Sequence, residues 1–293
     1  DDETWWKAAS VPLAELRLPA WHLSGWYDLF CEGTLNSYTA MAGHDVRQRL
    51  VVGPWAHINL YQQLVGEVDF GPAAHGLSQG LPGQMQAFLR NALDGEPVQT
   101  GVCVFVMGEN AWRELPSWPP PSSPYQPGLG SETLRWQNDP ADPVPTYGGR
   151  TLLAALPVPG PIDQRPVHER DDVVVWTSEP LTEDLTVIGT VTAQLALTCS
   201  AQQADVCVTL CDVHPDGRVL NVVDGNLRTT GAADRPRLID VRVGSTAMTF
   251  RAGHRIALAV SASSWPRFDL SPAADYALDL GQSSLTLPVP EGP

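Results

Sequence analysis

No apolar run in the 293 residues approaches the roughly eighteen that a membrane-spanning helix needs, so no membrane partner is expected. Positive charge is scarce. Lys and Arg total 18 against 33 Asp and Glu, a formal charge of −15, which repels a polyanion before any contact forms and removes nucleic acid from the expected partners. Cysteine is sparse and odd in number: Cys31, Cys103, Cys199, Cys207 and Cys211 are spread over the chain rather than spaced as a disulfide framework, so free thiols are expected. If Cys207 and Cys211 share a strand, about 13 Å of extended chain separates them, too far for a disulfide. The seven histidines show no close pair and no Cys/His cluster. Asp212, Asp216, Asp224 and Asp240 read as turn or strand-end residues without calcium-ligand spacing, and His254 reads as a turn residue. No metal and no cofactor are therefore expected. The opening "DDETWWKAAS" has no initiator Met, basic region or apolar core of a signal peptide. The compartment stays unknown, with the cytoplasm favoured.

What is present is 43% hydrophobic composition, ten Trp, and 25 Gly with 27 Pro, which implies a sizeable core and many turns. From Leu18 to about Gly95 the pattern is strand, helix, strand, helix, the alternation of a parallel sheet covered by helices. "LPAWHLSGW" is a strand. "CEGTLNSYTAMAG" follows with Leu35, Tyr38 and Ala42 at helical spacing, and "RLVVGPWAH" carries the continuous run Leu50, Val51, Val52 of a buried parallel strand. A second helix fits "LPGQMQAFLRNALDG", with Met85, Phe88, Leu89 and Ala92 on one face, Pro82 in the first turn and Gly95 at the stop. Only two strands of a sheet that usually has five or more are visible, so this part reads as truncated.

From about Val102 the texture becomes all-β, with no further helix. Val206, Val208 and Leu210 alternate with Cys207, Thr209 and Cys211, and "HPDG" then turns the chain into "RVLNVV" as a hairpin. Between Pro116 and Gly160 a Pro-rich passage is expected to hold little regular structure, wrapping the protein through Trp118, Tyr125, Trp136 and Tyr147. Trp265 and Phe268 are expected in the core rather than at a ligand. The fold class is thus α/β plus all-β, divided into residues 1–98 and 99–293.

Catalytic groups of α/β enzymes gather where strands end at the carboxyl edge of the sheet. "GWYD" places Asp28 just after the first strand, and "GPWAH" places His57 just after the second. A right-handed crossover sets those ends side by side, so Asp28 could accept a hydrogen bond from one nitrogen of His57 and leave the other free as a general base. The competing reading is an Asp that caps the next helix and a His exposed in a loop.

The segments "LSGWYDLF", "LVVGPWAH", "DPADPVPTYGG", "CDVHPDGRVLNVVDGNLR" and "FRAGHRIALAVSASSWPRFD" together resemble the cocaine-esterase/NonD group of α/β-hydrolases, relatives of the X-Pro dipeptidyl peptidases. The resemblance implies the C-terminal part of an α/β-hydrolase domain followed by a jelly-roll β-sandwich. It implies a Ser, Asp, His triad that cleaves esters or amides through an acyl-enzyme, with Asp28 and His57 as triad members and Phe30 at a substrate-binding position of the acyl pocket.

In that group the nucleophile lies in a G-x-S-x-G elbow upstream of the Asp, so it would fall before Asp1 and no nucleophile is expected in this chain. The implied partners are a small ester or amide substrate and a missing N-terminal hydrolase segment. "GLSQG" at Gly76 to Gly80 fits the motif by letter, but it follows His57, no strand leads into it, and Pro82 interrupts the helix an elbow requires. Ser78 is therefore not expected to be the nucleophile, and the chain alone is expected to be inactive. The alternative from another class is a non-catalytic jelly-roll module for binding or oligomerisation.

Overall fold

The apolar runs around Gly53 and Gly25 form two neighbouring strands whose ends meet, and the rest of the fold holds them in register. The computed structural model describes residues 11–44, 47–152 and 158–292; the opening decapeptide, on which the reading of a missing signal peptide rests, lies outside the described residues. The first part runs β1 (Ala20–Tyr27), α1 (Cys31–Ala42), β2 (Gln48–Ala56), a small hairpin β3 (Leu64–Val65) and β4 (Val68–Asp69), α2 (Leu81–Asp94), β5 (Gly101–Val106) and β6 (Ala111–Leu115). In α1, Cys31, Leu35, Tyr38 and Met41 are buried, one apolar stripe at helical spacing. Every residue of β2 is buried, as its unbroken apolar run requires. Gly95 closes α2 in the left-handed conformation (φ 74°). The expected face of α2 is only partly covered: Phe88 is buried, whereas Leu89 is exposed.

Among the described residues the sheet has four strands, two more than the sequence showed, in the order β1-β2-β5-β6. β5 lies parallel to β2 and β6 returns antiparallel. The continuous run Val102, Val104, Phe105, Val106 has the composition of a buried parallel strand, but an apolar run does not state which sheet it joins. The change of texture placed at Val102 therefore falls inside the first sheet.

The second part comprises β7 (Ser122–Tyr125), β8 (Thr133–Asn138), the single-turn helix α3 (Arg165–His168), β9 (Val173–Thr177), β10 (Leu185–Cys199), β11 (Gln203–Val213), β12 (Val219–Thr230), β13 (Arg237–Phe250), β14 (Arg255–Ser261) and β15 (Ala274–Pro290). One sheet has the order β13-β10-β15-β7, with β8 also on β15; the other has the order β12-β11-β14-β9. Cys207 and Cys211 lie together in β11, and all five cysteines are free. The expected hairpin is β11–β12, closed where Val213 pairs with Val219.

The Pro-rich passage is more regular than its composition suggests. It contributes β7 and β8, and Pro124 of β7 pairs with Pro288 of β15 at the sheet edge, where a missing amide donor costs no ladder bond. Trp118 and Trp136 anchor it in the core, whereas Tyr125 and Tyr147 are exposed. Trp265, expected in the core, is 46% exposed.

The two parts share one continuous core, from Trp26, Val51 and Phe105 to Leu195, Leu210 and Leu258. Polar bonds cross the same boundary. The Tyr27 hydroxyl donates to the Asn221 carbonyl at 3.0 Å, and Met107 exchanges backbone bonds with Ala247 and Thr249 of β13. No helix among the described residues is long and apolar enough to cross a membrane.

Candidate active site

β1 and β2 pair in parallel from Ala20↔Gln48 to Gly25↔Gly53, and the ladder closes with Tyr27↔Ala56. Two residues on β1 therefore span the same length as three on β2, a bulge that places Asp28 and His57 next to each other just beyond the last pair. The bulge falls at Gly53-Pro54-Trp55, where Pro54 has no amide to give. It brings the Trp55 backbone against Gly25, and a methyl group at Gly25 would run into the Trp55 carbonyl. Gly25 is thus the residue that lets the two strands close on each other.

Asp28 is 4% exposed. Its Oδ2 lies 3.1 Å from His57 Nδ1, and its Oδ1 accepts the Phe30 amide at 2.9 Å. A carboxylate only accepts, so Nδ1 carries the proton and Nε2 is left as the acceptor. The second carboxylate oxygen is held by the turn entering α1, so the carboxylate plane is fixed from both sides. Asp28 does not cap α1, whose N-cap is Phe30 with no side-chain cap bond; one oxygen serves the local turn and the other the imidazole. His57 opens a short 3-10 turn (His57–Asn59), and its side chain is 41% exposed. Phe30, itself exposed, meets the imidazole edge to face with centroids 5.1 Å apart.

Ser78 stands elsewhere in this hydrogen-bond map. Its hydroxyl is 3.1 Å from His75 Nδ1, a local turn contact on the surface, and not bonded to His57. A 3-10 turn (Pro72–Ala74), not a strand, precedes it. Cys31 begins α1, three residues after Asp28, but burial pushes its thiol up to about 12, so it carries almost no thiolate at neutral pH. Among the described residues no hydroxyl or thiol is hydrogen-bonded to His57.

A clamp that sequence spacing did not reveal fixes this edge to the sandwich. Arg150 is buried; its Nε donates to the Trp26 carbonyl at 2.9 Å, one terminal nitrogen to Glu32 at 3.0 Å, and the other to the Ser245 carbonyl. Glu32 of α1 also accepts the Ser245 amide at 2.6 Å and the Arg242 guanidinium at 2.6 Å. Burial pushes the Glu32 carboxyl up, but Arg150, the Ser245 amide and Arg242 together hold it below its ordinary value. The partners of Glu32 lie 118 to 213 residues away in sequence, beyond any local motif. The only hint in the sequence is an Arg following the paired glycines of "TYGGR".

The histidines do form a close pair in space, contrary to the sequence expectation. His214 and His254 stack with centroids 4.4 Å apart, and Asp212 lies between them. Asp212, the penultimate residue of β11, is at a strand end as expected, whereas Asp224 lies in the middle of β12 rather than at a turn or strand end. Asp224 is ion-paired with Arg267.

Residues 98–285 match the family model for the X-Pro dipeptidyl-peptidase C-terminal non-catalytic domain, and residues 1–59 match that for the X-Pro dipeptidyl-peptidase (S15 family). The chain is 35% identical to the cocaine esterase of Rhodococcus sp. (strain MB1 Bresler), across 92% of its own length and 53% of that protein. It superposes on an α-amino acid ester hydrolase with a TM-score of 0.82 at 25% identity, covering 94% of this chain and 56% of that one. An aminopeptidase from the marine sediment archaeon Thaumarchaeota archaeon shares the fold with a TM-score of 0.79 at 23% identity, covering 94% and 55%. The chain spans about half the length of the curated relatives it matches.

Proposed function

Because the chain belongs to the cocaine-esterase/NonD family of hydrolases, akin to the X-Pro dipeptidyl peptidases, we propose that Asp28 and His57 are the orienting acid and the general base of a serine hydrolase acting on carboxylic esters or amides. The observation that carries this reading is the 3.1 Å contact of Asp28 Oδ2 with His57 Nδ1 at paired strand ends. It leaves Nε2 of the partly exposed ring free to take a proton from a serine hydroxyl. As the proton arrives, the buried Asp28 carboxylate faces a developing imidazolium and stabilises it; the proton then passes to the leaving group as the acyl-enzyme forms, and a water repeats the cycle. Phe30 forms one wall beside the imidazole, at the acyl side of the pocket.

The serine and the oxyanion donors belong, in this reading, to a segment outside these 293 residues. Neither Ser78 nor Cys31 has the partner or the ionisation to replace it. Residues 1–98 carry the catalytic pair, and 99–293 form a sandwich with jelly-roll winding together with the β5–β6 hairpin, which joins the catalytic sheet. The sandwich serves as support, consistent with its match to a non-catalytic domain and with the Arg150–Glu32 clamp. A purely binding or oligomerising module would leave the aligned acid–imidazole pair without a purpose.

A chromogenic acyl-ester assay tests the reading. The 293-residue chain should show no turnover above a buffer blank, whereas protein that also contains the nucleophile-bearing segment should turn over and be silenced by a serine-directed acylating inhibitor and by His57→Ala. Turnover by the 293-residue chain that Ser78→Ala abolishes would place the nucleophile at Ser78 instead.

A further inference from the structure

The antiparallel pair β11–β14 ends at Val213↔Arg255. The next residue on one strand is His214, and the residue before the other strand is His254, so the two histidines face each other one step past the last rung. Asp212 is two residues before His214 and therefore points to the same face of the strand. Strand geometry alone brings a carboxylate and two imidazoles to one point. His254 Nδ1 lies 2.9 and 3.0 Å from the two Asp212 oxygens, and His214 Nε2 lies 3.2 Å from Asp212 Oδ2. One ligand atom from each of the three residues falls within 4.8 Å of the others.

From this geometry we propose that Asp212, His214 and His254 form a binding site for a first-row divalent metal ion of the zinc class. Two imidazole nitrogens and one carboxylate are the donor set such an ion takes, whereas calcium and magnesium require oxygen cages. Ligands at about 2.0–2.2 Å around a tetrahedral ion stand about 3.4 Å from one another. The observed 2.9–3.2 Å contacts need open by only a few tenths of an ångström to admit it. On binding, the proton of each neutral imidazole moves from the nitrogen facing Asp212 to the other ring nitrogen, so lone pairs replace donors and no proton is lost.

Both imidazoles are pinned by their backbones. His214 donates its amide to the Arg218 carbonyl across the hairpin turn, and His254 donates its own to Arg251. The cluster opens on a cavity of about 290 Å³ with apolar walls from Phe70, Met107 and Met248, and the Tyr27 side chain also lines it. The fourth position would be taken by water from that cavity. Arg251, the cation on its rim, is already paired with Asp184 at 2.6 Å. The site is distinct from the Asp28–His57 pair and needs no nucleophile, so it stands or falls separately from the hydrolase reading.

The test uses the tag-free chain after chelator treatment, titrated with Zn²⁺ by calorimetry, with Co²⁺ by visible absorption, and with Ca²⁺ as the hard-cation comparison. One Zn²⁺ per chain should bind and raise Tm, Ca²⁺ should not, and Co²⁺ should show the intense bands of a four- or five-coordinate site. His214→Gln and His254→Gln should each weaken Zn²⁺ by more than about tenfold, a lower bound set by the effect of losing even an outer partner of a ligand. His57→Ala and His168→Ala should leave the isotherm within about twofold on that scale. Should a variant fail to fold, imidazole ¹⁵N spectra of the unmodified chain decide. Zn²⁺ shifts confined to His214 and His254 support the site. No saturable binding, or shifts centred on other histidines, overturns it.

Discussion

Asp28 and Asp212 each meet imidazoles at the end of a strand ladder, and they differ in how many they receive. Asp28 follows the parallel pair β1–β2 and contacts one imidazole, His57, through one oxygen while the other oxygen is held by the Phe30 amide. Asp212 sits near the end of the antiparallel pair β11–β14 and is met by two, His214 and His254. A parallel pair sends both strands out in the same direction, each into its own connection, so each end contributes one residue and one ring nitrogen stays free for proton transfer. An antiparallel end brings one strand out beside another coming in, so a residue and its cross-strand neighbour converge on one carboxylate as chelating groups. The same two side-chain types thus acquire a base-like or a ligand-like arrangement according to strand direction.

The largest effect that sharpens this contrast is on turnover. In catalytically complete protein, Asp28→Asn should leave the fold intact and lower kcat by about four orders of magnitude, by analogy with the serine-protease value, because the amide favours the wrong tautomer of His57. Steady-state ester hydrolysis measures it, and a loss under tenfold would break the assignment of Asp28. Next in size is the clamp between the regions. Arg150→Met removes the buried partner of Glu32 and should cost about 3–5 kcal/mol in urea unfolding, while leaving Zn²⁺ affinity at the Asp212 cluster unchanged. The clamp also carries an acid signature. The folded Glu32 carboxyl is held below its ordinary value, so its contribution is fully present above about pH 4.5 and is lost as pH falls through the depressed value. Glu32→Gln should flatten the acid limb of the urea midpoint below that pH.

Smaller again is a matched pair of glycine substitutions. Gly25→Ala forces a methyl against the Trp55 carbonyl and should destabilise by about 1–3 kcal/mol or more. Gly33→Ala, inside α1 with open space around it, should stabilise by about 0.5–1 kcal/mol. Denaturation midpoints of opposite sign are expected; equal signs would mean that the close approach of β1 and β2 is not what Gly25 provides.

Asp28 and His57 were legible in the sequence because each directly follows an apolar strand, and one rule about crossover handedness then sets the two ends together. The β11–β12 hairpin was legible because its turn and its alternation are local. The Asp212 cluster was not, since its two histidines are forty residues apart and meet only through the β11–β14 register, which a sequence pattern does not state. The Arg150–Glu32 clamp was hidden for the same reason, its partners lying on a loop, a helix and a strand of the opposite part. The place of β5 in the first sheet was not legible, because the run from Val102 to Val106 is apolar enough for either part and the all-β texture was read as starting there. Trp265 failed the expectation of burial: its backbone is bonded to Val144 and Thr146, and with Pro266 and Tyr147 it lines a surface cavity, a placement that no local pattern states.

The most direct measurement of the central assignment is the tautomer of His57 in the 293-residue chain, read from imidazole ¹⁵N and ¹H spectra at mildly alkaline pH. The expected result is a proton on Nδ1, deshielded by its bond to Asp28, with Nε2 unprotonated, and loss of that signal in Asp28→Asn. A native His57 protonated on Nε2, with a spectrum that Asp28→Asn leaves unchanged, would contradict the role of Asp28 as the group that prepares His57 to act as a base.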